Sequence, residues 1–229
     1  MKPDIDYTLY LCTDRNIMTT ETIEESVELA IKGGVSVVQL REKECSSREF
    51  YEMAKAVKTI TDAYEVPLLI NDRIDIALAV GADGVHLGQS DLPLDAARNL
   101  LGADKIVGAT ANTVELAQKA WREGADYLGV GDVFGTTTKA DTRHITLEEL
   151  KEIKESVPIP IVAIGGVNED NIALLRETGR CSRYLCHCRT KRYYGRSRRT
   201  YFKFSRSITG TRKFPSPVPM SKSGLFAPW

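Results

Sequence analysis

The 229-residue chain has a formal net charge of zero, yet its two ends differ sharply in composition. Residues 180–229 contain 13 basic residues and no Asp or Glu, so residues 1–179 carry 18 basic and 31 acidic residues. The neutral average therefore joins an acidic domain to a basic tail. A chain of this length can bury one sizeable core, and no apolar run is long enough for a membrane-spanning helix.

Cysteine usage and the first residues indicate the cellular compartment. Cys12 and Cys45 lie in the acidic part without a pairing pattern, which is typical of a reducing environment. The sequence does not open with a signal peptide. We therefore expect a cytoplasmic protein that does not bind membranes, and the sequence leaves open whether it forms a homo-oligomer.

The predicted elements alternate between strands and helices. A first strand over residues 7–11 precedes a helix from about Thr22 that stops at Gly33-Gly34, and a long amphipathic helix spans residues 47–63. Six further stretches open with short apolar runs typical of parallel strands buried on both faces, and the first three of them end in polar residues. The stretches cover residues 35–43, 67–73, 84–91, 106–110, 127–131 and 161–166.

Seven strands that alternate with helices predict an α/β fold, specifically a TIM-type (β/α)8 barrel with right-handed crossovers. An eighth strand is due near residue 183, but residues 183–189 have neither strand nor helix periodicity. We therefore expect a barrel domain over residues 1–179. In residues 180–229 an aberrant basic tail replaces the eighth βα unit.

The tail has four interpretations. It is a disordered segment, it is translated out of frame, or it binds nucleic acid through its basic and aromatic residues. The fourth is a zinc site at Cys181, Cys186, His187 and Cys188, but their spacing matches no standard pair of zinc-binding motifs. Codons allowed for residues 180–200, read one base later, permit a strand and the start of a helix of the expected kind. We hypothesise a frame shift near Gly179, which resequencing the gene would test, and we do not expect nucleic acid as a partner.

Two carboxylates follow neighbouring predicted strands at the point where each strand ends. Asp72 follows the third strand and Asp91 the fourth, so both could face one Mg²⁺, a hard ion that prefers oxygen ligands. The alternative is that each carboxylate caps the helix that comes after it. His86 lies within the fourth strand, and we interpret it as structural rather than catalytic.

Cations and an amide occupy one side of the end of the second strand. Gln39, Arg41 and Lys43 alternate along the chain, so they share a face that could hold a polyphosphate. The alternative is a solvated edge with salt bridges to Glu42 or Glu44, which would contribute little stability.

Two further loops have the composition of phosphate sites. Residues 135–139, Gly-Thr-Thr-Thr-Lys, offer hydroxyls, backbone donors and a cation, although a flexible Thr-rich loop is the alternative. Gly165-Gly166 follows the seventh strand and precedes a helix predicted to begin around Glu169, where backbone amides favour an anion. A plain glycine turn is the alternative there.

Five motifs occur in order within residues 7–179: VVQLREK, PLLINDR, GVHLGQSD, GDVFGTTTKADTR and VAIGGV. Through these motifs the sequence resembles the thiamine phosphate synthase family of barrel enzymes. The resemblance implies a Mg²⁺-dependent transferase that joins a 4-amino-2-methylpyrimidine carrying a diphosphooxymethyl group to a thiazole phosphate. The products would be thiamine monophosphate and pyrophosphate.

The resemblance also implies a role for each site residue. Asp72 and Asp91 would bind Mg²⁺. Arg41, Lys43 and Lys139 would be the catalytic cations that stabilise the leaving diphosphate. The residues implied to bind the substrates are Gln39, Arg41, Lys43, Asn71, Thr110, Thr136, Thr138, Lys139 and Gly166.

The sequence departs from the family in two places. Thr110 takes a position that is usually Ser and retains a hydroxyl, while the family's eighth strand is missing. Two other functions therefore stay open. One is a related thiazole tautomerase, which need not bind a diphosphate, and the other is an inactive protein that binds phosphate or nucleic acid.

Overall fold

Parallel β-strands form one sheet whose order follows the sequence from β1 to β7. The structure is a computed structural model and describes residues 2, 4–16, 18, 20–135, 143–168 and 170–177. The strands are β1 (Tyr10–Cys12), β2 (Val37–Leu40), β3 (Leu68–Asn71), β4 (Gly84–Leu87), β5 (Ile106–Thr110), β6 (Tyr127–Val130) and β7 (Ile161–Ala163).

A helix follows each strand, as the alternation predicted. The helices are α1 (Ile23–Lys32), α2 (Ser47–Ala63), α3 (Ile74–Val80), α4 (Leu94–Leu101), α5 (Val114–Arg122), α6 (Leu147–Glu155) and α7 (Leu174–Glu177). Side-chain caps fix four of the helix starts: the hydroxyls of Thr22, Ser46, Thr113 and Thr146 each accept the backbone N–H three residues on. These elements confirm the predicted TIM-type α/β barrel.

Two apolar layers lie on opposite sides of the strands. Val38 and Leu40 of β2 pack outward in a large cluster with α1 and α2, while Val37 packs inward. The inward cluster also draws on β1, β3, β5, β6 and β7, so it fills the interior of the barrel. Ile5 and Tyr7 precede β1 and extend this cluster at the amino-terminal end of the strands.

The predicted start of the last helix is wrong, and the reason is local. The last helix was expected to begin around Glu169, but turns cover residues 170–173 and α7 begins at Leu174. The Asn168 side chain accepts the N–H of Asp170, and the Asn171 side chain accepts the N–H of Asn168. These side-chain bonds offer the backbone an alternative to helix.

The predicted eighth strand and the basic tail lie outside the described residues. The longest described helix, α2, has 17 residues, and none of the helices in the described part combines the length and apolar character needed to cross a bilayer.

The close packing of the interior gives a first prediction. A Cβ added at Gly108 in β5 would overlap the Tyr127 ring, which is fully buried in the barrel. Because both groups are held by paired strands, we expect Gly108→Ala to lower the free energy of unfolding by about 1–3 kcal/mol, or more. Urea denaturation followed by circular dichroism measures this change.

The matched control is Gly33→Ala at the end of α1. Gly33 has a right-handed φ of −80°, which alanine adopts without strain, so we expect a change within about 0.5 kcal/mol. Equal unfolding midpoints for Gly108→Ala and the unaltered chain would contradict the packing described for the interior.

Candidate active site

The predicted site residues on β2, β3 and β4 meet at one end of the barrel. Strand pairing is parallel throughout, so the carboxyl ends of neighbouring strands lie side by side. Asn71 closes β3 and pairs in register with His86 of β4, while Gln39 of β2 pairs with Cys12 of β1. We call the opening at these carboxyl ends the mouth.

Two carboxylates lie together in the mouth. Burial raises the pKa of Asp72 above its ordinary value, and the nearby Asp91 carboxylate raises it further. Lys43 opposes the rise, since its Nζ lies 3.3 Å from Asp72 Oδ2. The structure therefore brings a like-charged pair and one cation into contact.

Helix capping does not explain these carboxylates, so that alternative is wrong. The N-cap residue of α3 is Arg73 and that of α4 is Pro93, and neither helix start has a side-chain cap. Asp91 instead accepts the Gly88 N–H through Oδ2 at 2.6 Å. Asp72 has a φ of 63°, in the left-handed region that a non-glycine residue seldom adopts. Strain of this kind concentrates at functional sites.

The carboxylate pair fits a hard divalent cation. Within the described ranges, no group of three or more His, Cys, Asp and Glu side chains could hold a metal ion. Mg²⁺ does not need such a group, because it is commonly bound by one or two carboxylates together with water and substrate phosphates. A cation beside Asp72 and Asp91 would also relieve the repulsion that raises the Asp72 pKa.

Lys43 and Arg41 have different surroundings. The Lys43 side chain is about half exposed, at 52%, and pairs with Asp72. Among the described residues, no carboxylate pairs with the Arg41 guanidinium. Glu42 turns the other way and binds Arg15 Nε at 2.8 Å. The alternative of a salt bridge from this edge to Glu42 is therefore wrong, and both cations can face an anionic ligand.

The end of β1 fixes the backbone that carries Arg41. The Arg41 N–H donates to Thr13 Oγ1 at 2.9 Å, and the Thr13 hydroxyl lies 3.3 Å from the Arg41 carbonyl oxygen. Thr13 N–H also donates to the Gln39 carbonyl at 3.0 Å. Thr13 was not among the predicted site residues.

Gln39 lies below the mouth, within the barrel. Its side chain is buried, and its Nε2 donates to the Tyr10 hydroxyl at 2.7 Å. The Cys12 thiol donates to Gln39 Oε1 at 3.0 Å. Both ends of the amide are therefore hydrogen-bonded to protein groups. The prediction had instead placed Gln39 on one face with Arg41 and Lys43, where its amide would be free to bind a ligand.

Thr110 closes β5 on the opposite side of the mouth and contacts His86. The His86 Nε2 atom lies 3.0 Å from Thr110 Oγ1, and Nδ1 lies 2.8 Å from the Tyr127 hydroxyl. The Tyr127 and Tyr10 hydroxyls are 2.7 Å apart. Burial raises the pKa of both tyrosines well above the ordinary value, so both stay protonated. His86 is thus buried and held by hydrogen bonds, in agreement with a structural role.

The glycine pair after β7 packs against the loop after β6. Gly166 has a φ of 63°, and an added Cβ would overlap the carbonyl groups of Phe134 and Gly135. The side-chain amides of Asn168 and Asn171 donate to the Gly166 carbonyl at 3.1 and 3.0 Å. The structure therefore joins the start of the predicted Thr-rich loop to the Gly165-Gly166 turn. Thr136, Thr138 and Lys139 lie outside the described residues.

Comparison with known proteins identifies relatives of this chain. A family model described as Thiamine monophosphate synthase matches residues 9–182. The thiamine-phosphate synthase of Ruminiclostridium cellulolyticum is 59% identical over 179 residues, 78% of this chain and 85% of that protein. The thiamine-phosphate synthase of Clostridium acetobutylicum is 57% identical over 176 residues, 77% of this chain and 83% of that protein.

A solved structure shows the same relationship in three dimensions. The thiamine phosphate pyrophosphorylase from Pyrococcus furiosus superposes with a TM-score of 0.76 at 36% sequence identity, and the match covers 89% of this chain and 96% of that one. These matches confirm the resemblance carried by the five motifs. The chain belongs to the thiamine monophosphate synthase family.

Proposed function

We propose that this chain is a thiamine phosphate synthase, a transferase that couples the aminopyrimidine diphosphate to thiazole phosphate and releases pyrophosphate. The observation that carries the proposal is the cluster of Asp72, Asp91 and Lys43 in the mouth, beside an Arg41 guanidinium without a carboxylate partner among the described residues. This cluster suits a metal-bound diphosphate. The family assignment supports the same function.

Each substrate has its own side of the mouth in this proposal. Arg41 and Lys43 bind the diphosphate, Asn71 and Gln39 lie beneath the pyrimidine, and Thr110 binds the pyrimidine from the facing strand. The thiazole phosphate is bound by the loops after β6 and β7. The residues assigned there are Thr136, Thr138 and the Gly166 backbone, and Lys139 reaches the diphosphate.

The reaction requires stabilisation of the negative charge on the leaving diphosphate rather than proton transfer. The bond between the pyrimidine methylene carbon and the diphosphate oxygen breaks, and its electron pair leaves with the diphosphate. The lone pair of the thiazole nitrogen then forms the new carbon–nitrogen bond, so no proton moves. Arg41, Lys43 and Lys139 act by preorganised electrostatic attraction for the charge that grows on the leaving group.

Mg²⁺ held by Asp72 and Asp91 would neutralise part of the diphosphate charge and orient the leaving group. The protein's contribution is to hold the two carboxylates next to each other and to keep Lys43 within 3.3 Å of Asp72. Because the carboxylates already repel each other, the site gains more from a cation than an isolated carboxylate would.

A thiazole tautomerase is the second candidate and is less well supported. Such an enzyme need not bind a diphosphate, so it has no use for two cations and a carboxylate pair in one mouth. An inactive protein that binds phosphate or nucleic acid is a third candidate. It would explain the basic residues of the tail but not the left-handed backbone of Asp72 or its partly buried carboxylate.

We also propose the division of the chain into a catalytic domain, residues 1–179, and a separate basic tail, residues 180–229. The family match ends at residue 182, which supports this boundary. The frame shift near Gly179, the cytoplasmic location and the possibility of a homo-oligomer stay predictions.

The proposed function predicts a large effect of removing one cation. We expect Lys43→Ala to lower kcat for pyrophosphate release by about 10²–10³-fold, as is typical when a group that stabilises transition-state charge is lost. The measurement is a coupled pyrophosphate assay of the full chain with both substrates and Mg²⁺.

Lys119→Ala is the matched control, since Lys119 is exposed on α5 and pairs only at 3.8 Å with Glu123. We expect its kcat to equal that of the unaltered chain. Wild-type turnover by Lys43→Ala, or no pyrophosphate release by the unaltered chain, would contradict the proposed function.

The proposed metal site predicts a change in stability as well as in rate. With inorganic pyrophosphate present, Mg²⁺ should raise the free energy of unfolding by about 2.7 kcal/mol when its concentration is a hundredfold above its Kd. The double variant Asp72→Asn/Asp91→Asn should lose this increase, because amide oxygens carry no charge. Urea denaturation with and without Mg²⁺ gives the result.

Asp62→Asn provides the control for the metal experiment. Asp62 is an exposed carboxylate on α2 that pairs with Lys58. This variant should keep the full stabilisation by Mg²⁺. An equal response of the double variant and the control to Mg²⁺ would place the metal elsewhere.

A further inference from the structure

A continuous chain of hydrogen bonds crosses the interior of the barrel below the mouth. It joins two predicted substrate-binding residues, Gln39 and Thr110, through groups that were not assigned to the site. The spacings along it are 3.0, 2.7, 2.7, 2.8 and 3.0 Å. We call it the interior chain, and its members in order are Cys12, Gln39, Tyr10, Tyr127, His86 and Thr110.

The Gln39 amide sets the direction of the interior chain. Its Oε1 accepts from the Cys12 thiol, and its Nε2 can only donate, so the Tyr10 oxygen must accept. The Tyr10 hydrogen then needs an acceptor of its own. Tyr10 is 1% exposed, and in the described structure its hydroxyl contacts only Gln39 and Tyr127. The Tyr10 hydroxyl therefore donates to the Tyr127 oxygen.

The hydrogen-bond direction at Tyr10 also fixes the direction at Tyr127 and His86. The Tyr127 oxygen accepts from Tyr10, so its hydrogen donates to His86 Nδ1 at 2.8 Å. A nitrogen that accepts carries no hydrogen, which leaves the hydrogen of the neutral ring on Nε2. The opposite direction would leave the Tyr10 hydrogen buried without an acceptor, which is unfavourable in the interior. Because burial keeps both phenols protonated, each tyrosine hydroxyl has a hydrogen that needs an acceptor.

The direction of the hydrogen bonds decides whether the Thr110 hydroxyl accepts from His86 or donates to it. His86 Nε2–H donates to Thr110 Oγ1 at 3.0 Å, so the threonine hydroxyl uses an acceptor position toward His86. Its own hydrogen is left to point elsewhere. Thr110 closes β5 at the mouth, where a ligand can accept that hydrogen.

We propose that the interior chain fixes His86 as the Nε2–H tautomer and thereby presents the Thr110 hydroxyl to the pyrimidine as a hydrogen-bond donor. Tyr10, Tyr127 and His86 are then positioning residues, acting through Thr110 and Gln39 rather than on the reacting atoms. The ligand class that fits is a heteroaromatic ring with an unprotonated nitrogen, and that part of the inference rests on the proposed function.

The test is the protonation state of the His86 ring in the full chain, read from nitrogen-15 NMR of the imidazole nitrogens. We expect Nε2 to resonate in the protonated range and Nδ1 in the unprotonated range, with His86 assigned by its absence in His86→Gln. An Nδ1–H tautomer, or an equal mixture of the two tautomers, would overturn the proposal.

Two variants test which residue sets the direction of the hydrogen bonds along the interior chain. Gln39→Glu, measured at about pH 10, above the pKa of about 8–9 that buried glutamates reach, places only acceptor oxygens beside Tyr10. The interior chain should then reverse, and His86 should switch to the Nδ1–H tautomer. Thr110→Val removes the other end and should leave the Nε2–H tautomer in place. A switch in Thr110→Val would show that Thr110 sets the direction, contrary to the proposal.

Tyr7→Phe is the matched control for both variants. The Tyr7 ring centroid lies 4.8 Å from that of Tyr127, yet Tyr7 takes part in none of the five hydrogen bonds that define the interior chain. We expect the His86 tautomer to be unchanged in this variant, and a switch here would overturn the assigned route.

A ligand titration separates this inference from the proposed function. Adding the pyrimidine diphosphate should move the His86 Nε2–H proton signal downfield, because a donating Thr110 hydroxyl becomes a stronger acceptor. Thiazole phosphate alone should not move it. Binding of the pyrimidine without this shift would overturn the role of Thr110. A chain that binds neither substrate would refute the proposed function, while the tautomer in the free chain would still decide the inference.

Discussion

Parallel pairing of the strands in sequence order is the constraint on which the rest of this structure depends. It places the carboxyl ends of β1–β7 at one end of the barrel, so residues far apart in the sequence meet there. Asp72 and Asp91 come together because β3 and β4 are neighbours, and Thr13 reaches the Arg41 backbone because β1 lies beside β2. The order of the strands therefore decides which loops meet in the mouth.

The mouth and the barrel interior below it differ in charge. In the mouth, Lys43 lies close to the carboxylate pair, and the two carboxylates still repel each other. This arrangement suits an anionic substrate that binds together with a metal cation. Below it, the barrel interior carries neutral groups whose hydrogen bonds satisfy one another from Cys12 to Thr110. The neutral layer holds the binding groups in place without adding charge to a buried space.

Much of the fold and part of the site could be predicted from the sequence. Short apolar runs that alternate with helical patterns predicted the seven strands, and α2 has the predicted bounds of residues 47–63. The start of α7 was missed, since Asn168 and Asn171 compete with the helix through side-chain bonds. Tyr10 and Tyr127 were also missed. In a sequence, inward-facing aromatic residues look like ordinary core residues. Only the structure shows that the hydroxyls of these two tyrosines form a hydrogen bond.

The most direct measurement of the central claim is the affinity of the full chain for the pyrimidine diphosphate, determined by isothermal titration calorimetry with Mg²⁺ and again with excess chelator. If the mouth binds a diphosphate through the carboxylate pair and a cation, removing the metal should weaken binding by at least about tenfold, since a lost charge-assisted contact contributes 1.5–3 kcal/mol. Equal affinity in both conditions, or no binding in either, would contradict the account.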